Sequence, residues 1–175
     1  MKRMIALGFV LLVMTFTVSA QAGNPFIIEE SGSFVSKVID AKADLVITNG
    51  KGQLFAQTST QSVIEWGPFL EICNTVGVGS KLVSGNSVIR TVKGLLFAEF
   101  TGGNNCVNLS SDGPLTVLSA DITLEGNVTG GTGFYEGATG PILVTGIVFP
   151  VLVTPALDVK FGGVELKAEV TWNGN

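Results

Sequence analysis

The chain has 175 residues, with 23 glycines, no histidine, and 14 acidic against 10 basic residues. An acidic surface repels phosphate backbones, so the composition argues against nucleic-acid binding. Because histidine is the commonest proton carrier in catalysis and a frequent metal ligand, its absence leads us to expect no catalytic residue, no metal site and no cofactor.

Residues 1–22 have the layout of a secretory signal peptide. Lys2 and Arg3 precede an apolar run, and Ala20-Gln21-Ala22 supplies the small residues of a cleavage site. The apolar run is short for a membrane span, although an uncleaved anchor is the alternative. We therefore expect a secreted or periplasmic protein in which residues 23–175 form one domain. That domain has no membrane span and a net charge of −6, from 8 basic and 14 acidic residues.

Strand patterns dominate the mature sequence. The segments 31–39 and 52–66 are richer in Val, Ile, Thr and Phe than in helix-forming residues. Apolar and polar residues alternate in 121–128 and 164–172, which predicts strands with one buried and one wet face. The segment 141–153 is apolar without alternation, and the proline at position 150 predicts that its strand ends near position 149.

Turn-forming residues separate the strand patterns at roughly strand-length spacing. They are Asn49-Gly50, Gly85-Asn86, Gly102-Gly103-Asn104-Asn105, Asp112-Gly113-Pro114 and Gly162-Gly163. Many short strands joined by such turns predict an all-β fold, either a closed antiparallel barrel or a β-sandwich.

The mature chain contains two cysteines, Cys73 and Cys106. In a compartment that permits oxidation they predict a disulfide. The rival interpretations, a metal site and a thiol nucleophile, both need partners such as histidine that the chain lacks.

The segment GNVTGGTGFYEGATGPI, residues 126–142, favours a structural corner between strands over a phosphate cradle. A cradle needs a helix after its glycines, whereas Pro141 and a β-branched run follow here. In a corner, glycines permit positive φ and Phe134 and Tyr135 form an apolar plug, while Ala138 lets a neighbouring backbone approach. The predicted structural motif consists of Gly130, Gly131, Gly133, Tyr135, Gly137 and Gly140.

The run Gly130–Gly140, Gly-Gly-Thr-Gly-Phe-Tyr-Glu-Gly-Ala-Thr-Gly, is similar to the signature of the allene oxide cyclase-like barrels. That group includes plant dirigent proteins and uncharacterised secreted bacterial proteins, and it more often has Arg or Lys at the position of Phe134. The resemblance is close over this motif and loose over the rest of the mature chain. It implies an eight-stranded antiparallel barrel with an apolar cavity, often as a dimer or trimer. No catalytic residue is carried over, because no match extends beyond the structural motif.

Arg90, Phe97 and Glu99 are the candidate ligand-binding residues. Arg90 shares a strand face with valines, and Glu99 shares one with Phe97. If these faces line the barrel, the two charges become polar anchors inside an apolar cavity. Strand-end or surface positions are the alternative. The rest of the cavity lining is expected around Phe97, Leu124, Phe149 and Leu166.

The leading functional hypothesis is a non-enzymatic barrel that binds or orients a small apolar molecule. An enzyme of the cyclase or isomerase type is the second hypothesis, and a structural or surface-interaction protein with a filled core is the third. A cavity favours the first two, and a buried ionisable group within it favours the enzyme.

Overall fold

The computed structural model describes residues 26–37, 43–52, 55–68, 71–75, 77–110, 116–153 and 159–172. The predicted signal peptide and the predicted turn at Asp112-Gly113-Pro114 lie outside these residues. The described strands are β1 Phe26–Lys37, β2 Ala43–Gly52, β3 Phe55–Trp66, β4 Glu71–Ile72, β5 Gly77–Thr91, β6 Gly94–Leu109, β7 Val117–Gly131, β8 Gly140–Val153 and β9 Val159–Val170.

Eight of these strands close into a barrel. They pair antiparallel in the order β3-β2-β1-β9-β8-β7-β6-β5, and β3 pairs with β5 to complete the ring. The two-residue strand β4 pairs with β5 outside the ring. Closure gives each of the eight strands two neighbours, which removes the open edges that would template aggregation. The predicted all-β fold, a single antiparallel barrel of about eight strands, is confirmed.

The alternation of apolar and polar residues determines which side chains fill the barrel. The buried members of the two predicted alternations are Ile122, Leu124 and Val128 on β7 and Val164, Ala168 and Val170 on β9. The acidic residues between them, such as Asp121 and Glu165, are exposed. Since successive strand residues point to opposite faces, the buried set forms one core inside the barrel.

Four of the predicted turns are wrong, because the chain passes through them within β2, β5, β6 and β9, at Asn49-Gly50, Gly85-Asn86, Gly102–Asn105 and Gly162-Gly163. Apart from β4, the described strands are 10 to 16 residues long. At Gly103 the φ is +140°, and an added Cβ would overlap the carbonyl of Thr123 on β7. Glycine therefore allows a bulge and a close strand contact here, and the strand continues.

The predicted end of β8 near Phe149 is also wrong, since β8 continues to Val153. Its pairing with β9 shifts register between Pro150 and Leu152. Proline has no N–H to donate to the ladder, so a strand tolerates it at such an irregularity.

Candidate functional site

The glycine motif lies at the corner between β7 and β8. β7 ends at Gly131, a 3-10 helix spans Gly133–Tyr135, and β8 begins at Gly140. Gly133 and Gly137 have φ values of +63° and +73°, in the left-handed region that glycine adopts without steric cost. A Cβ on Gly140 would overlap the carbonyl of Thr171, so the backbones approach too closely for a side chain. The motif leads into a strand and lacks the longer helix that a phosphate cradle requires.

Tyr135 is the buried centre of this corner. Its side chain is completely buried in the barrel core, and its hydroxyl shares a 3.2 Å hydrogen bond with Thr91 Oγ1. Burial raises the pKa of the Tyr135 hydroxyl, and the hydrogen bond with Thr91 lowers it by a smaller amount. The buried ring of Tyr135 and its hydrogen-bonded hydroxyl thereby anchor the corner to the core.

Two further aromatic rings surround Tyr135. The Trp172 ring lies 5.4 Å from the Tyr135 ring, and the Phe134 ring packs edge-on against both, at 5.5 Å from Tyr135 and 4.9 Å from Trp172. Phe134 is 54% exposed, and Lys93 Nζ lies 4.6 Å from its ring centre in a cation–π contact. Phe134 therefore covers the outside of the corner and does not share the burial of Tyr135.

The predicted disulfide between Cys73 and Cys106 is confirmed, with Cα atoms 5.8 Å apart. It ties the segment after β4 to the outer side of β6. Asn74 Nδ2 donates to Asn108 Oδ1 at 2.6 Å, and Asn108 Nδ2 donates to Asp121 Oδ2 at 2.9 Å. The bridge and the amides together hold this segment against β6 and β7.

The interior of the barrel contains a cavity of about 30 Å³. This gives room for about two water molecules, each of which needs at least roughly 10–15 Å³. The apolar part of the lining includes Phe100, Leu124 and Leu166. Leu124 and Leu166 thus lie where the sequence analysis expected them. Phe149, in contrast, is 43% exposed.

A polar wall faces these apolar side chains. It consists of Glu30 on β1, Thr60 and Ser62 on β3 and Ser87 on β5. Ser62 and Ser87 share a buried hydrogen bond of 2.9 Å across the two strands that close the barrel. The cavity is therefore mainly apolar, with a carboxyl group and hydroxyl groups on one side.

Glu30 is a candidate site residue that the sequence analysis missed. Among the residues whose side chains the structure describes, it is the only charged one that is buried, at 8% exposure. The signal was present, because Phe26, Ile28 and Glu30 alternate on one strand face and both apolar members are buried. An acidic residue that falls at a buried position of an alternating strand can therefore be recognised in the sequence.

Arg90, Phe97 and Glu99 do not line the interior. Arg90 and Glu99 are exposed and Phe97 is half-buried, because the inward positions of β5 and β6 belong to residues such as Ile89 and Ala98. The register places Arg90 opposite Leu95 and Glu99 opposite Asn86, so the two charges do not face each other. The inward-facing positions considered for these three residues therefore belong to their sequence neighbours. Along β5 and β6, the buried and exposed positions alternate one residue out of step with the expectation.

Within the described residues, no group of three or more His, Cys, Asp or Glu side chains is arranged to hold a metal ion. No helix in that part of the chain is long and apolar enough to cross a membrane.

The described residues form a closed eight-stranded antiparallel barrel whose interior contains a small, mainly apolar cavity. Comparisons of the chain with protein-family models, with curated proteins and with solved structures found no match. Function is therefore argued from the geometry of the barrel.

Proposed function

We propose that this chain is a secreted, non-enzymatic barrel that acts through its outer surface, as a structural or surface-interaction protein. The carrying observation is the interior cavity of about 30 Å³. Pockets for drug-sized ligands occupy about 300–1,000 Å³, so this cavity is smaller by about an order of magnitude. A cavity of this size leaves the binding of larger molecules to the outer surface of the barrel.

The proposal that the protein is secreted or periplasmic rests on two supports. Structural disulfides persist in oxidising compartments, and Cys73 and Cys106 form one. The basic, apolar and small-residue layout of residues 1–22 is that of a signal peptide. Membership of the allene oxide cyclase-like group, with its tendency to form oligomers, is a proposal that rests on the Gly130–Gly140 motif.

Binding of a small apolar molecule is the second candidate function. The lining of the cavity favours it, because Glu30 and the hydroxyls of Ser62 and Ser87 face an apolar wall. This arrangement suits a compound with an apolar body and one polar end, provided that the barrel widens to admit it. A cyclase or isomerase activity would draw on the same site, with Glu30 as its ionisable group.

Native mass spectrometry of protein purified from its own source tests the proposal. We expect the mass of the disulfide-bonded polypeptide with no retained compound. Stoichiometric retention of a compound of small-molecule size would favour the binding function. The variant Ala168→Leu, which places a larger side chain in the cavity, is the matched control. An interior compound is lost from this variant, whereas a compound held on the outer surface is kept.

A further inference from the structure

The outer face of β8 carries four exposed apolar side chains, with the exposed Thr145 between the first two. Leu143, Ile147, Phe149 and Val151 expose 38%, 40%, 43% and 70% of their surface, respectively. We call these four residues the β8 ridge. Large exposed apolar patches on soluble proteins commonly mark interaction sites.

Carboxylates border the β8 ridge on both sides. They are Asp121 and Glu125 on β7 and Glu165 and Glu169 on β9. The strand register places one acid from each strand opposite Ile147 and one from each strand opposite Leu143. The half of the ridge that contains Leu143 and Ile147 therefore lies between two acidic borders.

A lysine on this surface is already engaged. Lys167 Nζ lies 2.7 Å from Glu169 Oε1, and Glu29 on β1 lies opposite Lys167 in the register. Hydrogen bonding to Glu169 raises the pKa of Lys167. The borders nevertheless carry more carboxylates than ammonium groups, and the surface remains negative.

The dimensions of this surface match an α-helix. Neighbouring strands are about 4.8 Å apart, so the borders on β7 and β9 are separated by about 10 Å, close to a helix diameter of about 10–12 Å. From Leu143 to Val151 the ridge is about 27 Å long, which corresponds to about 18 helical residues. A helix lying on the ridge can therefore place basic side chains against both borders.

The described residues do not supply such a helix. The only helix formed by the described residues is the three-residue 3-10 turn at Gly133–Tyr135. A second copy of this chain would bring its own acidic borders against those of the first, which like-charge repulsion disfavours.

We propose that the β8 ridge and its acidic borders bind a basic amphipathic helix of a partner protein. Apolar side chains of the helix pack on the ridge, and its flanking Lys or Arg residues pair with the carboxylates. This inference rests on the proposed role as a surface-interaction protein, for which it names the chemistry of the partner.

Binding of a designed peptide tests the inference. The probe is a fluorescein-labelled helical peptide of about 18 residues, the length of the ridge, with Leu on one face and Lys on both flanks. Fluorescence anisotropy at physiological salt should give saturable binding to the disulfide-bonded protein. A peptide of the same composition in scrambled order should bind at least about tenfold more weakly, because its apolar and basic side chains no longer lie on separate faces.

Three variants locate the binding site on the protein. The double variant Glu125→Gln and Glu165→Gln should weaken binding by about tenfold, since it removes one carboxylate from each border. Ile147→Ser should weaken it by a similar factor through the apolar contact. The matched control Glu71→Gln and Glu136→Gln removes the same charge at exposed sites outside this surface, and should change the dissociation constant by less than about twofold.

Equal weakening by the border and control variants would overturn the inference, because it would show attraction by net charge alone. An absence of saturable binding, or a dimer that Ile147→Ser dissociates, would overturn it as well. The proposed function would fail by a different result, the retention of a small compound in native mass spectrometry. The peptide could bind to the ridge whether or not such a compound is retained.

Discussion

Tyr135 and Glu30 are two polar side chains that this barrel accommodates among apolar neighbours. The Tyr135 hydroxyl is bonded to Thr91 at the corner, while Glu30 lines a wall that also contains hydroxyl groups. Burying a polar group costs free energy unless the group is hydrogen-bonded. Tyr135 and Glu30 therefore each need polar neighbours. The sequence pointed to Tyr135 through the glycine motif. Glu30 was overlooked because acidic residues are rarely buried, and their exposure is the natural assumption.

The ionisation of Tyr135 gives the first prediction. The chain has one tyrosine, so the ultraviolet absorbance of tyrosinate reports on Tyr135 alone. Burial raises its pKa above 10.0 in the folded protein, and we expect the absorbance titration to have its midpoint above that value. In denaturant the midpoint should return to about 10.

The same pKa shift makes folding stability depend on pH. Above pH 10.0 the unfolded chain loses the tyrosine proton while the folded chain keeps it, so stability falls as the pH rises towards the folded pKa. Thr91→Val is the control, because loss of the pKa-lowering hydrogen bond should move the midpoint further upward. A midpoint at or below that of the denatured chain would contradict the buried position of Tyr135.

The second prediction concerns substitutions at two glycines of the corner. Together they distinguish the effect of backbone strain on stability from that of steric overlap. Gly133 and Gly137 have similar φ values, +63° and +73°. A Cβ on Gly133 would lie 2.6 Å from the Lys93 carbonyl oxygen, whereas a Cβ on Gly137 has no neighbour within 4 Å. Gly137→Ala should destabilise by about 1–2 kcal/mol from strain alone, and Gly133→Ala by more. Urea unfolding measures both losses, and equal losses would mean that the contact with Lys93 is absent.

At the scale of the elements, the buried and exposed strand faces were predictable and the positions of the turns were not. The alternation in 121–128 and 164–172 is local, and the sequence alone assigned its buried face correctly. Glycine pairs are ambiguous, since glycine serves equally in a turn and in a bulge inside a long strand. Which role applies at Gly103 depends on the approach of β7, and local sequence does not contain that contact.

The disulfide carries the third prediction, because it attaches the β4 segment to the wall of the barrel. It closes a loop with a sequence separation of 33 residues. In the chain-entropy model such a bridge stabilises the folded state by about 4 kcal/mol, so the double variant Cys73→Ser and Cys106→Ser should lose about that amount in urea unfolding. Wild-type protein unfolded with a reductant present should show the same loss. Unchanged stability in both measurements would show that the bridge does not form.

At the scale of the whole molecule, the sequence patterns predicted an all-β fold but left a closed barrel and a β-sandwich open. The resemblance of the glycine motif implied the eight-stranded barrel, and the size of its interior could not be predicted. The volume inside depends on which residues meet across the ring. Small residues such as Ala98 and Ala168 lie on the same inner surface as Phe100, and the register that combines them is set by long-range pairing. The sequence favoured a hollow interior through the resemblance but did not decide between a hollow and a filled one.

The central claim of a filled barrel is tested most directly by the free energy of unfolding of Ala168→Leu. Ala168 lines the cavity of about 30 Å³, and the substitution adds an isopropyl group there. In a filled core such overpacking costs about 1–3 kcal/mol, and we expect a loss in that range. The control Ser31→Leu, at an exposed position of β1, should stay within about 0.5 kcal/mol of the parent. Unchanged or increased stability of Ala168→Leu would show a hollow interior and contradict the account.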